Sequence, residues 1–395
     1  MKYTPHLRNT AKSGGSRRRS RLSLCAGVLA LALSVSQTLA FPAFAGPAEE
    51  ATVSSDEPSV PAALGPAADL SASNYYNGRL SDPIVKPVDK YSYEQMEQDI
   101  NALKNRYPNQ MNVNVMGQSA DGRNLYHIII GNPSASKHIL FQGTIHGREY
   151  INVPLMMQQL EYLLAYQNTG TFQGRNLSDM LGQVAVHFVP LANPDGASIS
   201  QNGEGGIRSE ELRAQIQKAY EADKADGRTT ADYDSYLRRW KSNGRGVDLN
   251  HNFDAGWDGL NTVAHPSSTD YKGESPLSEP ESRALASLTD QYPFAACISY
   301  HAMGQVIYWD TENNRKATAS RELAELVSKN NGYQILGSKG VGGYKDWIQK
   351  RENAIPGITI EVGKSTCPVN FSEYETLWKQ NRAVPGIVIE YVLTH

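Results

Sequence analysis

Two kinds of hydrophobic pattern alternate along this chain. Short runs rich in apolar and β-branched residues have the length of strands: Val113 to Met116, Leu125 to Ile130, Ile139 to Ile145, Val184 to Pro190, Phe294 to His301 and Gly357 to Glu361. The first two are joined through a turn at Gly122, which predicts a hairpin feeding the third. Between the runs lie stretches with apolar residues at helical spacing. Met96, Ile100 and Leu103 mark Tyr91 to Tyr107, and Leu155, Met156, Leu160, Leu163 and Leu164 mark Ile151 to Tyr166 as a helix that covers the sheet. Ser209 to Ala225 reads as a capped, charged helix and Asp232 to Trp240 as a second one, together an insertion on the rim. Asn193-Pro194-Asp195-Gly196 is rich in turn formers and reads as a turn. The alternation predicts an α/β fold in one domain over residues 88–395.

The two ends of the composition differ. Overall the 395 residues are 40% hydrophobic, ordinary for a globular protein. Residues 1–45 carry seven basic residues and no acidic one, followed by the apolar stretch Leu22 to Val35 and an A-x-A site at Ala43 and Ala45. That is the pattern of a signal peptide, and the apolar stretch is short for a membrane span. Export is therefore expected, to a secreted, extracellular or wall-associated location, with no stable membrane anchor after cleavage. Residues 46–87 are dominated by Ala, Pro, Ser and acid and read as a flexible linker.

Removing the leader shifts the charge balance from −3 to −10, because 38 basic residues become 31 against 41 acidic ones. A nucleic-acid partner is not expected of such a chain. Only Cys297 and Cys367 remain, too few for a disulfide scaffold. A monomer is expected.

The chemistry sits where the apolar runs end. His146-Gly147-Arg148-Glu149 follows Ile139 to Ile145, placing an imidazole and a carboxylate three residues apart behind a strand. Zinc takes such ligands, and a catalytic site uses three protein ligands with one position left for water. His301, at the end of Phe294 to His301, is a candidate third ligand. Glu361 closes Gly357 to Glu361; a carboxylate there either faces solvent or is held for acid–base work.

Taken in order, His146-x-x-Glu149, Asn193-Pro194-Asp195-Gly196, Gly246-Val247-Asp248-Leu249-Asn250, Ser278-Glu279-Pro280, His301 and Glu361 resemble the zinc carboxypeptidase family, of the carboxypeptidase A-like kind. The resemblance covers the chain from near residue 90 to 395. It implies a single domain with a mixed, twisted sheet of roughly eight strands flanked by helices. It also implies one zinc ion per chain held by His146, Glu149 and His301, Glu361 as general base, and Arg245 as the cation facing the oxyanion, with Arg239 as substitute.

Two departures bear on the substrate. Where the family has an arginine after the Asn250 position to grip a C-terminal carboxylate, this chain has His251, and a neutral imidazole lacks the guanidinium fork. Matching Gly342 to Trp347 with the family's specificity segment puts Lys345 at the base of the pocket for the leaving residue, a cation suited to a substrate carboxylate. No tyrosine falls in register with the family's mobile tyrosine, which lands near Ser338; Tyr344 and Tyr333 are the nearby candidates. The segment Asn252 to Trp257 is similar to bacterial members that cut peptidoglycan stem peptides between the γ-carboxyl of D-glutamate and meso-diaminopimelate. A cell-wall stem peptide is therefore the expected substrate. The alternatives are an ordinary metallocarboxypeptidase, a non-catalytic wall-binding pseudoenzyme and an amidohydrolase of N-acyl amino acids.

Overall fold

In the computed structural model, which describes residues 69–71 and 80–395, the apolar runs line up as strands of one sheet. The expected leader over residues 1–45 and most of the linker over 46–87 lie outside the described residues. Helix α1 (Tyr93–Arg106), capped by the Ser92 hydroxyl, leads into the hairpin β1 (Met111–Gln118) and β2 (Asn124–Gly131). Then come β3 (His138–Gly143), α2 (Asn152–Tyr166), the two-residue strands β4 (Thr171–Phe172) and β5 (Arg175–Asn176), α3 (Leu177–Leu181) and β6 (Ala185–Val189). Helices α4 (Pro194–Asn202), α5 (Glu210–Ala225) and α6 (Tyr233–Arg238) form the middle of the chain. Helix α7 (Pro280–Gln291) returns to β7 (Phe294–Ala302) and β8 (Val306–Tyr308), followed by α8 (Ala317–Asn331), β9 (Gln334–Leu336), α9 (Tyr344–Lys350) and β10 (Gly357–Val362). Helices α10 (Tyr374–Asn381) and α11 (Val384–Thr394) end it, and no helix among the described residues is long and apolar enough to cross a membrane.

Eight strands pair in the order β1-β2-β6-β3-β7-β10-β8-β9. The sheet is mixed: β6, β3, β7 and β10 run parallel, while β1 with β2, β2 with β6, and β8 with β10 are antiparallel. Both faces are covered, which is why β3 is buried at every position and shows no polar alternation. Ile139 and Phe141 enter one core with α2 and α11, and Leu140 enters a second with Phe253, Leu285 and Ile348. The parallel centre has one functional consequence: the carboxyl ends of β3, β7 and β10 open side by side, where α/β sheets bind ligands.

Three local expectations change. The folded domain begins before residue 88: Leu80 and Val85 are buried, and the amides of Ile84 and Val85 donate to the buried Glu161 carboxylate at 2.7 and 2.9 Å. Asn193 to Gly196 starts a helix; Asn193 caps α4 through the Gly196 amide at 2.9 Å, with Pro194 at its first turn. The helix expected over Asp232 to Trp240 is confined to α6, and Asp232 is its cap.

Far from the carboxyl ends, β2, β6 and β3 contribute a buried chain of three imidazoles. His127 Nε2 lies 2.7 Å from His187 Nδ1, His187 Nε2 lies 2.8 Å from His138 Nδ1, and His138 Nε2 lies 2.9 Å from the Ala135 carbonyl. A carbonyl only accepts, so the proton sits on Nε2 of His138, and the same tautomer follows along the chain. Burial pushes His127 down to about 4, lowers His138, and lowers His187 further with the help of its two imidazole neighbours. The rings are neutral when folded and bind protons below about 6.5 when unfolded, so they contribute stability above that pH that is lost as pH falls toward 4. His127 alone accounts for on the order of 3 kcal/mol across that window. Urea unfolding of His127→Gln, which keeps a donor for His187 but cannot charge, should show a shallower stability loss between pH 6.5 and 4 than the parent; an unchanged slope would contradict the account.

Candidate metal centre and active site

The loop after β3 is shaped by close backbone packing. Thr144 takes a left-handed φ of 57°, turning the chain so that Gly147 lies against the backbone of Gly196, where a side chain on Gly147 would collide. The Gly147 amide donates to the Lys241 carbonyl at 2.9 Å. The Asn193 amide group donates to the carbonyls of Ile145 at 3.0 Å and Ser242 at 3.1 Å, so one side chain ties the His146 loop to the segment carrying Lys241 to Asp248. That segment is shaped in turn by Asn243, whose carbonyl oxygen accepts from the Arg245 and Val247 amides and whose NH2 donates to Glu279 and Glu281. The Asn-Pro-Asp-Gly and Ser-Glu-Pro motifs thus act on the site by holding loops.

His146, Glu149 and His301 come together, all buried, with one ligand atom from each within 4.8 Å of the others. His146 Nδ1 is 2.8 Å from Glu149 Oε1 and 3.2 Å from His301 Nδ1, and His301 Nδ1 is 3.1 Å from Glu149 Oε2. Ligand bonds of about 2.0–2.1 Å around a tetrahedral zinc put ligand atoms roughly 3.3 Å apart, so this donor set fits the ion. On the far side of its ring, His146 Nε2 lies 3.2 Å from Asp248 Oδ1, which fixes the tautomer and leaves Nδ1 with a lone pair for a metal. Burial opposes the charge on Glu149 and on Asp248. His146 and His301 outweigh it at Glu149, and Lys241, His146 and His251 at Asp248, so both carboxyls sit below the usual range. The Ala302 amide donates to Glu149 Oε2 at 3.0 Å and binds the β7 end to the loop.

Glu361 stands on β10 directly in register with His301 on β7. Burial pushes its carboxyl up to about 7 against the opposing charge of His301. No described hydrogen bond holds this side chain, and it belongs to none of the ligand contacts above.

The structure does not bring Arg245 to this cluster. The turn from Asn243 to Gly246, closed by the Gly246 amide on the Asn243 carbonyl at 3.1 Å, sends Arg245 outward. There its half-exposed side chain lies 3.8 Å from Glu279. Lys241 faces inward instead: its ammonium is 3.5 Å from Asp248 Oδ2, and although burial alone would lower its pKa, Asp248 and Glu149 raise it. Arg148 is the other nearby cation; it reaches the Arg239 carbonyl at 3.5 Å and has no carboxylate within salt-bridge distance among the described residues. Arg239 itself points to a cavity described below.

Lys345 is also a correction. Its ammonium is buried and spends its donors on the Asp310 carbonyl and Asp346 Oδ1, both at 2.6 Å, and Gln349 Oε1 at 3.5 Å. Asp346 neutralises it, so it offers no charge to a substrate. Tyr344 and Tyr333 are core residues bonded to Thr289 and to Gln380 and Asn381, and neither supplies a mobile phenol. Asn250 packs against Gly343 and donates its amide to Asp248.

His251 lies 3.5 Å from Asp248 Oδ1. Burial opposes its charge, but Asp248 outweighs it and raises the imidazole above its usual value, so the ring is less neutral than the sequence suggests. It lines a cavity of about 540 Å³ together with Asp226, Arg228, Asn261 and Asp270. Asp248, His251 and Asp270 also bring ligand-type atoms within 4.8 Å. Lys241 at 3.5 Å from Asp248 and Arg228 at 3.4 Å from Asp270 already supply the counter-charge there, which makes it an ion-pair cluster.

The comparisons agree with this geometry. The family model described as zinc carboxypeptidase matches residues 96–383. Gamma-D-glutamyl-L-diamino acid endopeptidase 1 of Lysinibacillus sphaericus is 33% identical over 307 residues, covering 76% of this chain and 73% of the relative. Human carboxypeptidase D is 24% identical over 383 residues, with 85% of this chain matched to 24% of that protein. The crystal structure of thrombin activatable fibrinolysis inhibitor superposes with a TM-score of 0.59 at 18% identity over 80% of this chain and 78% of that one, and carboxypeptidase A from Helicoverpa armigera with 0.56 over the same shares. These structural likenesses establish the shared fold; with the family match and the converging His146, Glu149 and His301, this chain belongs to the zinc carboxypeptidase family and is a metallopeptidase.

Proposed function

We propose that the chain is an exported zinc peptidase that hydrolyses the bond between the γ-carboxyl of D-glutamate and a diamino acid in peptidoglycan stem peptides. The observation that carries the substrate reading is the cavity beside His251. Its wall bears both signs of charge, with Arg228 and His251 against Asp226 and Asp270. A lone C-terminal carboxylate needs only cations; the second amino acid head of a diamino acid, an ammonium and a carboxylate together, needs both. The similarity to an endopeptidase named for γ-D-glutamyl-L-diamino acid bonds supports the same reading. The basic, apolar leader supports export, and stem peptides lie outside the cytoplasmic membrane.

Zinc held by His146, Glu149 and His301 would polarise the scissile carbonyl and lower the pKa of a bound water. Glu361 takes the proton from the attacking water and delivers it to the leaving nitrogen, so the new C–O bond replaces the C–N bond and the amine departs neutral. Lys241 faces the carbonyl oxygen as it gains negative charge, the place of an oxyanion donor. Asp248 keeps His146 in the ligating tautomer. His251 orients the leaving residue, beside the ion pairs that Arg228 makes with Asp223 and Asp270.

The raised pKa of His251 favours one second reading, a carboxypeptidase whose terminal clamp is an imidazolium. A substrate panel separates the two. L-Ala-γ-D-Glu-meso-diaminopimelate should be cleaved with kcat/KM at least about 100-fold above hippuryl-Phe and hippuryl-Lys. Preference for the hippuryl substrates would transfer the assignment to ordinary C-termini.

A further inference from the structure

A second cavity, of about 550 Å³, adjoins the ligand cluster on another flank. The cavity at His251 is linked to His146 by Asp248, which contacts both imidazoles; this one is lined by Tyr150, which follows Glu149, and by Cys367. Cys367 Sγ lies 3.5 Å from the Ala302 carbonyl, next to His301, and 3.8 Å from the Arg148 carbonyl. The segment carrying Glu149 therefore forms part of its wall through Tyr150, and Cys367 links that wall to the end of β7 beside His301.

The charge of that wall is cationic. Lys90, Arg238 and Arg239 line it against a single acid, Asp89. Lys90 donates to the Gln201 carbonyl at 2.8 Å, and Arg238 donates to the Ser235 hydroxyl at 2.6 Å, where Asp232 accepts from the same hydroxyl and feels the charge of Arg238. Arg238 and Arg239 are both exposed, and among the described residues only Arg238 of the two has an acid, Asp232, acting on it. The Arg239 guanidinium has no ion-pair or hydrogen-bond partner among the described residues; its backbone alone is engaged, the amide on the Tyr236 carbonyl at 3.1 Å and the carbonyl by Arg148 at 3.5 Å. A guanidinium in that state is a ready bidentate donor for a carboxylate.

We propose that this cavity is the subsite for the acyl half of the substrate, and that Arg239, with Arg238 beside it, binds a carboxylate carried there. The proposal rests on the reading of a γ-linked substrate: when the scissile carbonyl is the γ-carbon of glutamate, the α-carboxylate stays free on the acyl residue, on the side of the metal site away from His251. An amide at that atom removes the charge and half of the acceptor capacity while leaving the scissile bond intact. Arg239 is then a determinant of specificity that acts on binding rather than on the chemical step.

The test is a matched pair of stem tripeptides, one with the γ-linked D-glutamate α-carboxylate free and one with it converted to the carboxamide. The zinc-loaded protein should favour the acid by about tenfold in kcat/KM, mostly through KM. In Arg239→Gln that ratio should fall toward one, while Arg321→Gln, on the remote exposed face of α8, should leave it unchanged. Equal rates on acid and amide by the parent protein, or a ratio that survives in the Arg238→Gln, Arg239→Gln double variant, would overturn the subsite. Should neither stem peptide be cleaved while ordinary peptides are, the substrate reading fails by itself. The subsite is then judged on peptides with Glu or Gln supplying the scissile carbonyl: a Glu preference lost in Arg239→Gln supports it, and no preference rejects it.

Discussion

Glu361→Gln is expected to lower kcat by about a thousandfold at unchanged zinc content. Glutamine has the shape of glutamate, so the register of β10 with β7 and the packing beside His301 should survive. What it loses is the ability to take a proton from water and return it to the leaving amine. The side chain is suited to that task because burial holds its proton affinity up at about 7, while His301, and a zinc dication in the same direction, favour the ionised form that must act first. Since Glu361 is not among the converging ligands, metal binding and activity should separate in this variant. Retention of more than about a tenth of the parental kcat would place the base elsewhere.

Lys241→Met should cost about 100-fold in kcat, and Arg245→Met close to nothing. The two residues are four positions apart, but the backbone of Lys241, bonded to Ser268 and Gly147, aims its side chain toward Asp248, whereas the Asn243 to Gly246 turn sends Arg245 toward Glu279. Lys241 also balances the buried Asp248, so its loss carries a structural cost. Lys241→Arg separates the two roles: it keeps both the charge and the donor, and recovery of most of the activity identifies the cation as what the reaction needs. A large loss in Arg245→Met with a small one in Lys241→Met would reverse the assignment.

The convergence of His146 with His301 is legible in the sequence because each stands at the end of an apolar run, and a run buried on both faces of a sheet has few other places to go. Once β3, β7 and β10 lie parallel, His146, His301 and Glu361 must emerge at one end. The order of motifs then gave the family and the eight-stranded sheet. Roles decided by a loop's path were not legible. Proximity to Gly246 favoured Arg245, whereas the turn closed on the Asn243 carbonyl carries Arg245 away and the backbone bonds of Lys241 to Ser268 and Gly147 hold that residue at the site. Lys345 looked like a pocket cation because its partners come from its own neighbour Asp346 and from the Asp310 carbonyl on a distant loop, and only packing shows that they consume its charge. The bipolar wall at His251 joins residues from 226 to 270. The imidazole chain needs three strands in register, since His127, His138 and His187 sit in no common motif.

The most direct test is zinc content and hydrolysis of L-Ala-γ-D-Glu-meso-diaminopimelate on one preparation of the chain without residues 1–45, with the cleaved bond read by mass spectrometry. The account predicts about one zinc per chain, release of free diaminopimelate, loss of both on chelation and return of both on adding zinc. Full zinc occupancy with no turnover of this peptide or of any hippuryl dipeptide would contradict it and leave a metal-bound fold without the chemistry assigned to Glu361 and Lys241.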